Sequence, residues 1–281
     1  MELTDAAYES LRQQIQRLCG LNLQDDRRYL VRDRLGKLVL RHGLEGFDAL
    51  ALRLIEGRER GLETEVVESI LTGETSFFRD PHVFSALSKE ILPYILQRIA
   101  HENRPLRILS AGVSTGQEAY SLAMLAQEQS GHMLTPFNGK YTILATDIST
   151  QALSVARSGI YSLRELERGL DPTRRARYFE PSGDRFKIKD NIRSQVEFKH
   201  ANFKEPLSLS GKFDLICCRN VMIYFDEAMR KRLCDQFHAL LYPDGWLVLG
   251  SAENLYGLTA SYRSVQFEGN VFGYQREELC T

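Results

Sequence analysis

The sequence predicts an α/β protein built on a doubly wound, mostly parallel sheet with an antiparallel edge hairpin, preceded by a small all-α domain. Three observations carry this expectation. From Thr4 to about Leu71, apolar residues recur three and four apart, the period of a helix face. From Arg107 onward, short apolar runs alternate with helical stretches, the pattern of parallel strands joined by crossover helices. The last two runs, Ser264–Glu268 and Val271–Gln275, follow one another directly and read as an antiparallel pair.

In the helical part, breaks near Gly20–Leu23, His42–Gly46 and Gly57–Gly61 divide the chain into four short helices. GETSFFRDPHVF then leads into a helix over about Val83–Ile99. Strands are expected at Arg107–Ser110, Tyr141–Thr146, Val196–His200, Phe213–Cys218 and Trp246–Leu249, and helices at Gln117–Gln127, Ser149–Ser158 and about Asp226–Leu241. The expected organisation is a helical domain over 1–72, a linker and helix over 73–100, and the sheet domain over 101–281. Alternation around Phe186–Ile188 and a turn at Pro181–Asp184 mark a β-hairpin insertion at about 178–198. There is no internal repeat and no low-complexity segment.

A chain of 281 residues, 43% hydrophobic and 26% charged, has enough apolar surface for a large core and more than one domain. A formal net charge of −1 gives no reason to expect a nucleic-acid partner. No stretch approaches the ~18 apolar residues of a membrane helix, and the first ten residues have no apolar core, so a cytoplasmic protein without membrane insertion is expected. Cys19, Cys217, Cys218, Cys234 and Cys280 are odd in number and are not spaced as metal ligands. They read as buried free thiols in a reducing compartment, with no metal site.

Two βα turns point to a ligand. The first strand runs into SAGVSTGQEAYSLAM (Ser110–Met124), where Gly112 and Gly116 let the backbone turn sharply and Ser114 or Thr115 can cap the next helix. The second ends on ATDIS, placing Asp147 where a carboxylate can accept hydrogen bonds from ribose hydroxyls. Gln117 stands where a phosphate-binding loop has lysine, which disfavours a nucleoside triphosphate. Glu118 at the helix start opposes a pyrophosphate and suits a cation, so the turns favour S-adenosylmethionine over NAD. A third segment, FDLICCRNVMIYFD (Phe213–Asp226), is an apolar strand that delivers Arg219, Asn220 and Tyr224 at its carboxyl end, where parallel sheets bind ligands.

GETSFFRD (73–80), STGQEAYSLAM (114–124), ATDIS (145–149) and CRNVMIYF (218–225), in this order, resemble the chemotaxis receptor methyltransferases, the CheR family, over nearly the whole chain. The chain departs from that pattern at Gln117 and Ala119, at Gly73, and at Gly250–Glu253, which reads GSAE in place of a GHSE-like turn. The resemblance implies a Rossmann-like methyltransferase sheet and an S-adenosylmethionine-dependent protein-glutamate O-methyltransferase, releasing S-adenosylhomocysteine and acting on methyl-accepting chemoreceptors in sensory signal transduction. It implies that Tyr224 donates a hydrogen bond to the incoming carboxylate, and that Arg79 and Arg219 neutralise charge around the substrate and the donor's carboxylate. Donor contacts would come from Thr75, Ser76, Arg79, Ala111 and Glu118, and further from Asp147 on the ribose, Asn202 near the adenine, Phe203, Arg219 and Asn220. Read without the family, Tyr224 is equally a rim aromatic, Arg79 a linker salt-bridge partner and Asn202 a turn residue.

The implied chemistry agrees with the residue types. A glutamate carboxylate, with a reference pKa near ~4.3, is already a nucleophile at neutral pH, so alignment and water exclusion matter more than a general base. Arginine and tyrosine suit an anionic acceptor. On the helix around DDRRYLVRDRLGKLVLRHG, Arg27, Arg34, Lys37 and Arg41 fall within roughly an 80° arc. That basic face is either a solvated surface balanced by nearby acids or a docking face for an acidic receptor helix bundle; on the second reading, reversing Arg34 and Arg41 to Glu cuts receptor methylation and spares donor binding. Residues 1–80 hold 12 basic and 15 acidic side chains, which weakens a nucleic-acid role. In some family members the inserted hairpin grips a tethering peptide; the segment here is compact and is read as lacking that role. A methyltransferase for a small molecule or RNA, and a donor-binding scaffold without catalysis, are the rival readings, and the resemblance leaves room for an additional regulatory protein partner.

Overall fold

The computed structural model describes residues 2–130 and 140–277, which fall into two compact units. The smaller comprises Met1–Thr72 together with Asn202–Pro206 and Tyr224–Arg230; the larger comprises Gly73–Ala201, Leu207–Ile223 and Lys231–Thr281.

In the smaller unit the first helix, Asp5–Cys19, starts where the Thr4 hydroxyl accepts from the Ala7 amide (3.1 Å) and stops at Gly20 in the left-handed region (φ 78°). It buries Ala7, Leu11 and Ile15 on one face. The next helical stretch is not uniform. A 3₁₀ turn (Asp25–Arg27) and a short α segment (Arg28–Leu30) lead into a π-helical turn (Val31–Leu35) and a last α turn (Gly36–Arg41). The π turn lets Val31, Leu35, Leu38 and Val39 all face the core. Phe47–Glu56 and Arg60–Ile70 complete the helices, the former ended by Gly57 at φ 65°. The Arg34 guanidinium donates to the carbonyls of Ser69, Ile70 and Leu71 (3.5, 3.2 and 2.7 Å), capping the last turn of Arg60–Ile70.

Among the described residues the larger unit has ten strands: β1 (Leu106–Ala111), β2 (Tyr141–Asp147), β3 (Ile160–Tyr161), β4 (Phe179–Ser182), β5 (Arg185–Ile188), β6 (Val196–His200), β7 (Phe213–Cys218), β8 (Leu241–Leu249), β9 (Tyr262–Phe267) and β10 (Val271–Arg276). Seven form one sheet in the order β6-β2-β1-β7-β8-β10-β9, parallel from β6 through β8. The terminal pair is antiparallel as expected, with β10 on the inside between β8 and β9. β7 lies between β1 and β8 and every one of its six residues is buried, which accounts for the apolar run of Leu215, Ile216, Cys217 and Cys218. β4 and β5 form a hairpin, and β3 adds to β5, giving a separate three-stranded sheet. β3 is two residues long, below what periodicity can register.

The helix before β1 runs from Pro81 to Glu102 through a π turn at Leu87–Ile91. Pro93 has no amide to give to a carbonyl one turn back, and the wider turn immediately before it absorbs that defect. Its apolar face, including Leu92, Ile95, Leu96 and Ile99, packs into the main core with the sheet residues Ile108, Leu215 and Val248. At the amino end of the sheet, Asp214 is fully buried. Its carboxylate accepts from Arg98 Nη2 (2.8 Å), from Arg104 Nη1 and Nη2 (2.9 and 2.7 Å) and from the Arg107 amide (3.0 Å). Cys19, Cys217, Cys218 and Cys234 are buried free thiols; Cys280 lies outside the described residues. Among the described residues, no helix is long and apolar enough to cross a membrane and no cluster of side chains could hold a metal ion.

Candidate active site

Strand order reverses between β1 and β7, so the loops leaving their carboxyl ends flank the position where open α/β sheets bind ligands. The β1 loop turns through Gly112 (φ 79°), Ser114 (φ 52°) and Gly116 (φ 96°). Glycine is required for space as well as for φ. A Cβ on Gly112 would lie 2.4 Å from Val221 Cγ2 in the β7 loop, and one on Gly116 would lie 2.9 Å from Ala156 Cβ. Beneath this loop, the Tyr161 hydroxyl donates to the Thr115 carbonyl (2.8 Å), and its ring stands edge-on to Phe77 (5.1 Å between centroids).

Asp147 ends β2 with its carboxylate shared between two loops: Oδ2 accepts from the Ser114 amide (2.7 Å) and Oδ1 from the Ser149 amide (2.8 Å). It thereby sets the height of the glycine loop over the strand ends. Gln117, where this chain departs from the family pattern, is buried and its side-chain oxygen accepts from the Thr115 hydroxyl (2.8 Å).

The segment Gly73–Asp80 brings in a second group. Phe78 and Asp80 both have positive φ (46° and 59°), and a bulky residue held there costs on the order of 1–3 kcal/mol, which surrounding contacts must offset. The Phe78 amide donates to the buried Ser121 hydroxyl (3.0 Å), and Gly169 meets this segment so closely that an added Cβ would sit 1.8 Å from the Phe77 carbonyl oxygen. Thr75, Ser76 and Arg79 are half-buried, and Arg79 Nη1 donates to the Glu74 carbonyl (2.9 Å).

Arg219 is placed differently from Arg79. Its side chain is 1% exposed, with Nη1 on Glu118 Oε2 (3.0 Å) and Nη2 on Asp80 Oδ2 (2.9 Å) and on the Arg79 carbonyl (2.5 Å). Glu118 also accepts from the Ser110 hydroxyl (2.8 Å). The guanidinium charge is thus met by two carboxylates, and three of the four motif segments, 73–80, 114–124 and 218–225, are tied together through one buried cation. Ala111 is buried at the end of β1, and Asn220 adopts φ 58° just past Arg219. Burial pushes the Cys217 and Cys218 thiols well above their usual range, which removes them as nucleophiles.

The remaining expected site residues belong to the helical unit. The Tyr224 carbonyl accepts from the Asn22 amide (2.8 Å), Leu21 and Phe225 form an antiparallel bridge, and the Arg27 guanidinium lies 4.9 Å from the centre of the Tyr224 ring. Asn202 donates from Nδ2 to the Leu18 carbonyl (2.7 Å) and accepts at Oδ1 from the Lys204 amide (3.0 Å); Phe203 is buried. Of the basic face, Lys37 and Arg41 are exposed. Arg27 and Arg34 are half-buried and held by the contacts above. Sequence reasoning gave no role to Asp80, Ser110, Ser121 or Glu253; the first three are short polar residues inside the motifs, with no signal separating them from caps.

The residues at the β1 and β2 loops fit an adenosyl donor that carries no phosphate. The loop is a glycine turn whose charged side chains are the carboxylates Glu118 and Asp147, with no lysine to meet a phosphate. A family model described as "CheR methyltransferase, SAM binding domain" matches residues 73–271, and one described as "CheR methyltransferase, all-alpha domain" matches residues 6–71. The chain belongs to the CheR methyltransferase family. It is 41% identical over 267 residues to "Chemotaxis protein methyltransferase 1" of Vibrio cholerae, covering 94% of each chain. It is 37% identical to "Chemotaxis protein methyltransferase 1" of Pseudomonas aeruginosa, covering 95% of this chain and 96% of that one. The matching protein of Salmonella typhimurium is 33% identical over 93% of this chain and 88% of its own. This CheR protein is therefore an S-adenosylmethionine-dependent methyltransferase. When bound, the donor supplies a methyl group made electrophilic by its sulfonium; the protein's residues supply placement.

Proposed function

We propose that this CheR protein methylates glutamate side-chain carboxylates of methyl-accepting chemoreceptors, forming glutamate methyl esters. The supporting observation is its likeness over nearly its whole length to several chemotaxis protein methyltransferases. The residue chemistry agrees, since the motif segments carry two arginines and a tyrosine, and a carboxylate acceptor needs no base to become a nucleophile. Asp147 takes the donor's ribose, and the β1 loop with Ala111 takes its adenosyl and amino-acid portions. Arg79 meets the acceptor's charge. Arg219, with both Nη atoms engaged by carboxylates, acts by holding Glu118 and Asp80 in place. The Tyr224 hydroxyl donates to the acceptor carboxylate. Incubation with labelled donor and chemoreceptor cytoplasmic fragments is expected to give label that leaves as volatile methanol in alkali; alkali-stable label, as from an N-methyl product, sinks this reading.

Receptor docking by the basic face is part of the same proposal and rests on the exposed residues Lys37 and Arg41. Arg34 makes a poor probe, because its reversal would also uncap Arg60–Ile70. Arg41 lies 3.2 Å from Glu65 with both partners well exposed, an ion pair of small worth that a partner can displace. The double reversal Lys37→Glu with Arg41→Glu is expected to raise KM for the receptor fragment about tenfold or more, steeply reduced at high salt, with S-adenosylhomocysteine affinity unchanged. An unchanged KM removes this face from docking.

A further inference from the structure

Glu253 lies in the loop after β8 and ends the GSAE turn, where the sequence departs from the family pattern and assigns the glutamate no role. Its carboxylate is surrounded by backbone amides. Oε2 accepts from Asn220 (2.7 Å) and Gly250 (2.8 Å), and Oε1 from Val221 (3.0 Å) and Ile223 (3.2 Å). Three of these four donors belong to the β7 loop, the segment that connects Arg219 to Tyr224. That loop begins with Asn220 in the left-handed region, which points successive amides to one side and creates the concavity the carboxylate fills. The fit leaves no room for change at Gly250, where a Cβ would lie 2.8 Å from Glu253 Oε2 and 2.9 Å from the Asn220 amide nitrogen.

The same loop bears on the donor loop from the other side, since Val221 occupies the space that a side chain at Gly112 would need. The carboxylate therefore fixes three things together: the conformation of Asn220–Ile223, the seat of Val221 against the glycine turn, and the start of the turn that ends on Tyr224. A water-filled or amide-filled substitute cannot do this. Four N–H groups converge on two oxygens, and only a carboxylate presents acceptors alone at both ends. Asp is a methylene too short to span from Gly250 to Ile223.

We propose that Glu253 is a positioning residue for methyl transfer, acting through the β7 loop and touching neither donor nor acceptor. The kinetic part of this proposal rests on the receptor-glutamate reading above, and it predicts a particular pattern. In Glu253→Gln one of the two acceptor oxygens becomes an NH₂ facing two amides, so the β7 loop loses half of its anchor while side-chain size and fold are kept. Misplacing the loop by part of an ångström is expected to lower kcat by roughly tenfold to a hundredfold at saturating donor and receptor fragment. S-adenosylhomocysteine Kd by calorimetry should stay within about threefold, because the contacts of Asp147 with Ser114 and Ser149 are independent of Glu253.

The test pairs Glu253→Gln with Glu253→Asp, each checked for cooperative melting, and follows backbone amide exchange in residues 219–223. The expected result is a kcat loss in both variants, near-native donor affinity and faster exchange confined to that loop. A folded Glu253→Gln protein with kcat within about twofold of the parent overturns the proposal, as does a kcat loss matched by an equal loss of donor affinity. If the parent protein itself makes no alkali-labile ester, the substrate reading has failed, and the exchange measurement still decides the clamp: unchanged exchange at Asn220, Val221 and Ile223 rejects it.

Discussion

Tyr224→Phe is expected to lower kcat by about tenfold to a hundredfold while leaving S-adenosylhomocysteine Kd near the parental value. The substitution is clean for a structural reason. What holds Tyr224 is its backbone carbonyl on the Asn22 amide and its ring beneath the Arg27 guanidinium, and phenylalanine keeps both. Only the hydroxyl is lost, and in the proposed mechanism it serves the acceptor carboxylate as that group attacks the methyl. A hydrogen bond to an ionised acceptor is stronger than a neutral one, and here it holds the carboxylate as it attacks, so the loss should fall on the rate. Steady-state kinetics at saturating donor, with calorimetry for the product, make the measurement. An unchanged kcat strikes Tyr224 from the reaction.

The largest effect on stability is expected at the opposite end of the sheet. Asp214→Asn should lower the free energy of unfolding by about 3 kcal/mol, seen as a fall in denaturant midpoint with the slope kept. The parent carboxylate joins Arg98 and Arg104, from the end of the Pro81–Glu102 helix and the turn after it, to the first strand through the Arg107 amide. Arg98 and Arg104 are each about a fifth exposed and Asp214 not at all. Replacing the anion with an amide leaves two partly desolvated guanidinium groups facing a neutral group that also turns a donor toward them. A change below about 0.5 kcal/mol would show the cluster to be a surface-like pairing of little value. Methyl-transfer rates measured well below the midpoint should not change, which separates this stabilising cluster from the site at the other strand ends.

The architecture was legible because its signals are periodic. β7 was bounded correctly at Phe213–Cys218, since a strand buried on both faces carries an apolar run such as Leu215, Ile216, Cys217 and Cys218 and stops where polar chemistry begins; Asp214 sits in it with its charge met by Arg98 and Arg104. The glycine turn, Asp147 and Arg219 stand out in the sequence by their place after strands. What stayed illegible depends on contacts across the sequence. That Arg219 spends both Nη atoms on Glu118 and Asp80 is decided by residues 101 and 139 positions away. The π turn at Val31–Leu35 was likewise hidden, because an ideal 100° step was used to place Arg34 beside Lys37 and Arg41 on one exposed face. The extra residue in that turn shifts the phase, and Arg34 goes instead to the carbonyls at Ser69–Leu71. Glu253 offered only the last residue of the GSAE turn after a strand, and the amides that surround its carboxylate could have come from any residue type.

One feature of the smaller unit bears on how such enzymes diverge. Tyr224–Arg230 pack as part of the helical bundle, with Leu21, Asn22 and Arg27 forming the bed of the tyrosine. Exchanging the first 72 residues for those of a paralogue, the obvious way to retarget the protein, would therefore also change what lies against the phenol ring. If the proposed roles of the helical unit and of Tyr224 hold, recognition and turnover are inherited together, and a graft that kept Leu21–Arg28 from the host chain would be the way to part them.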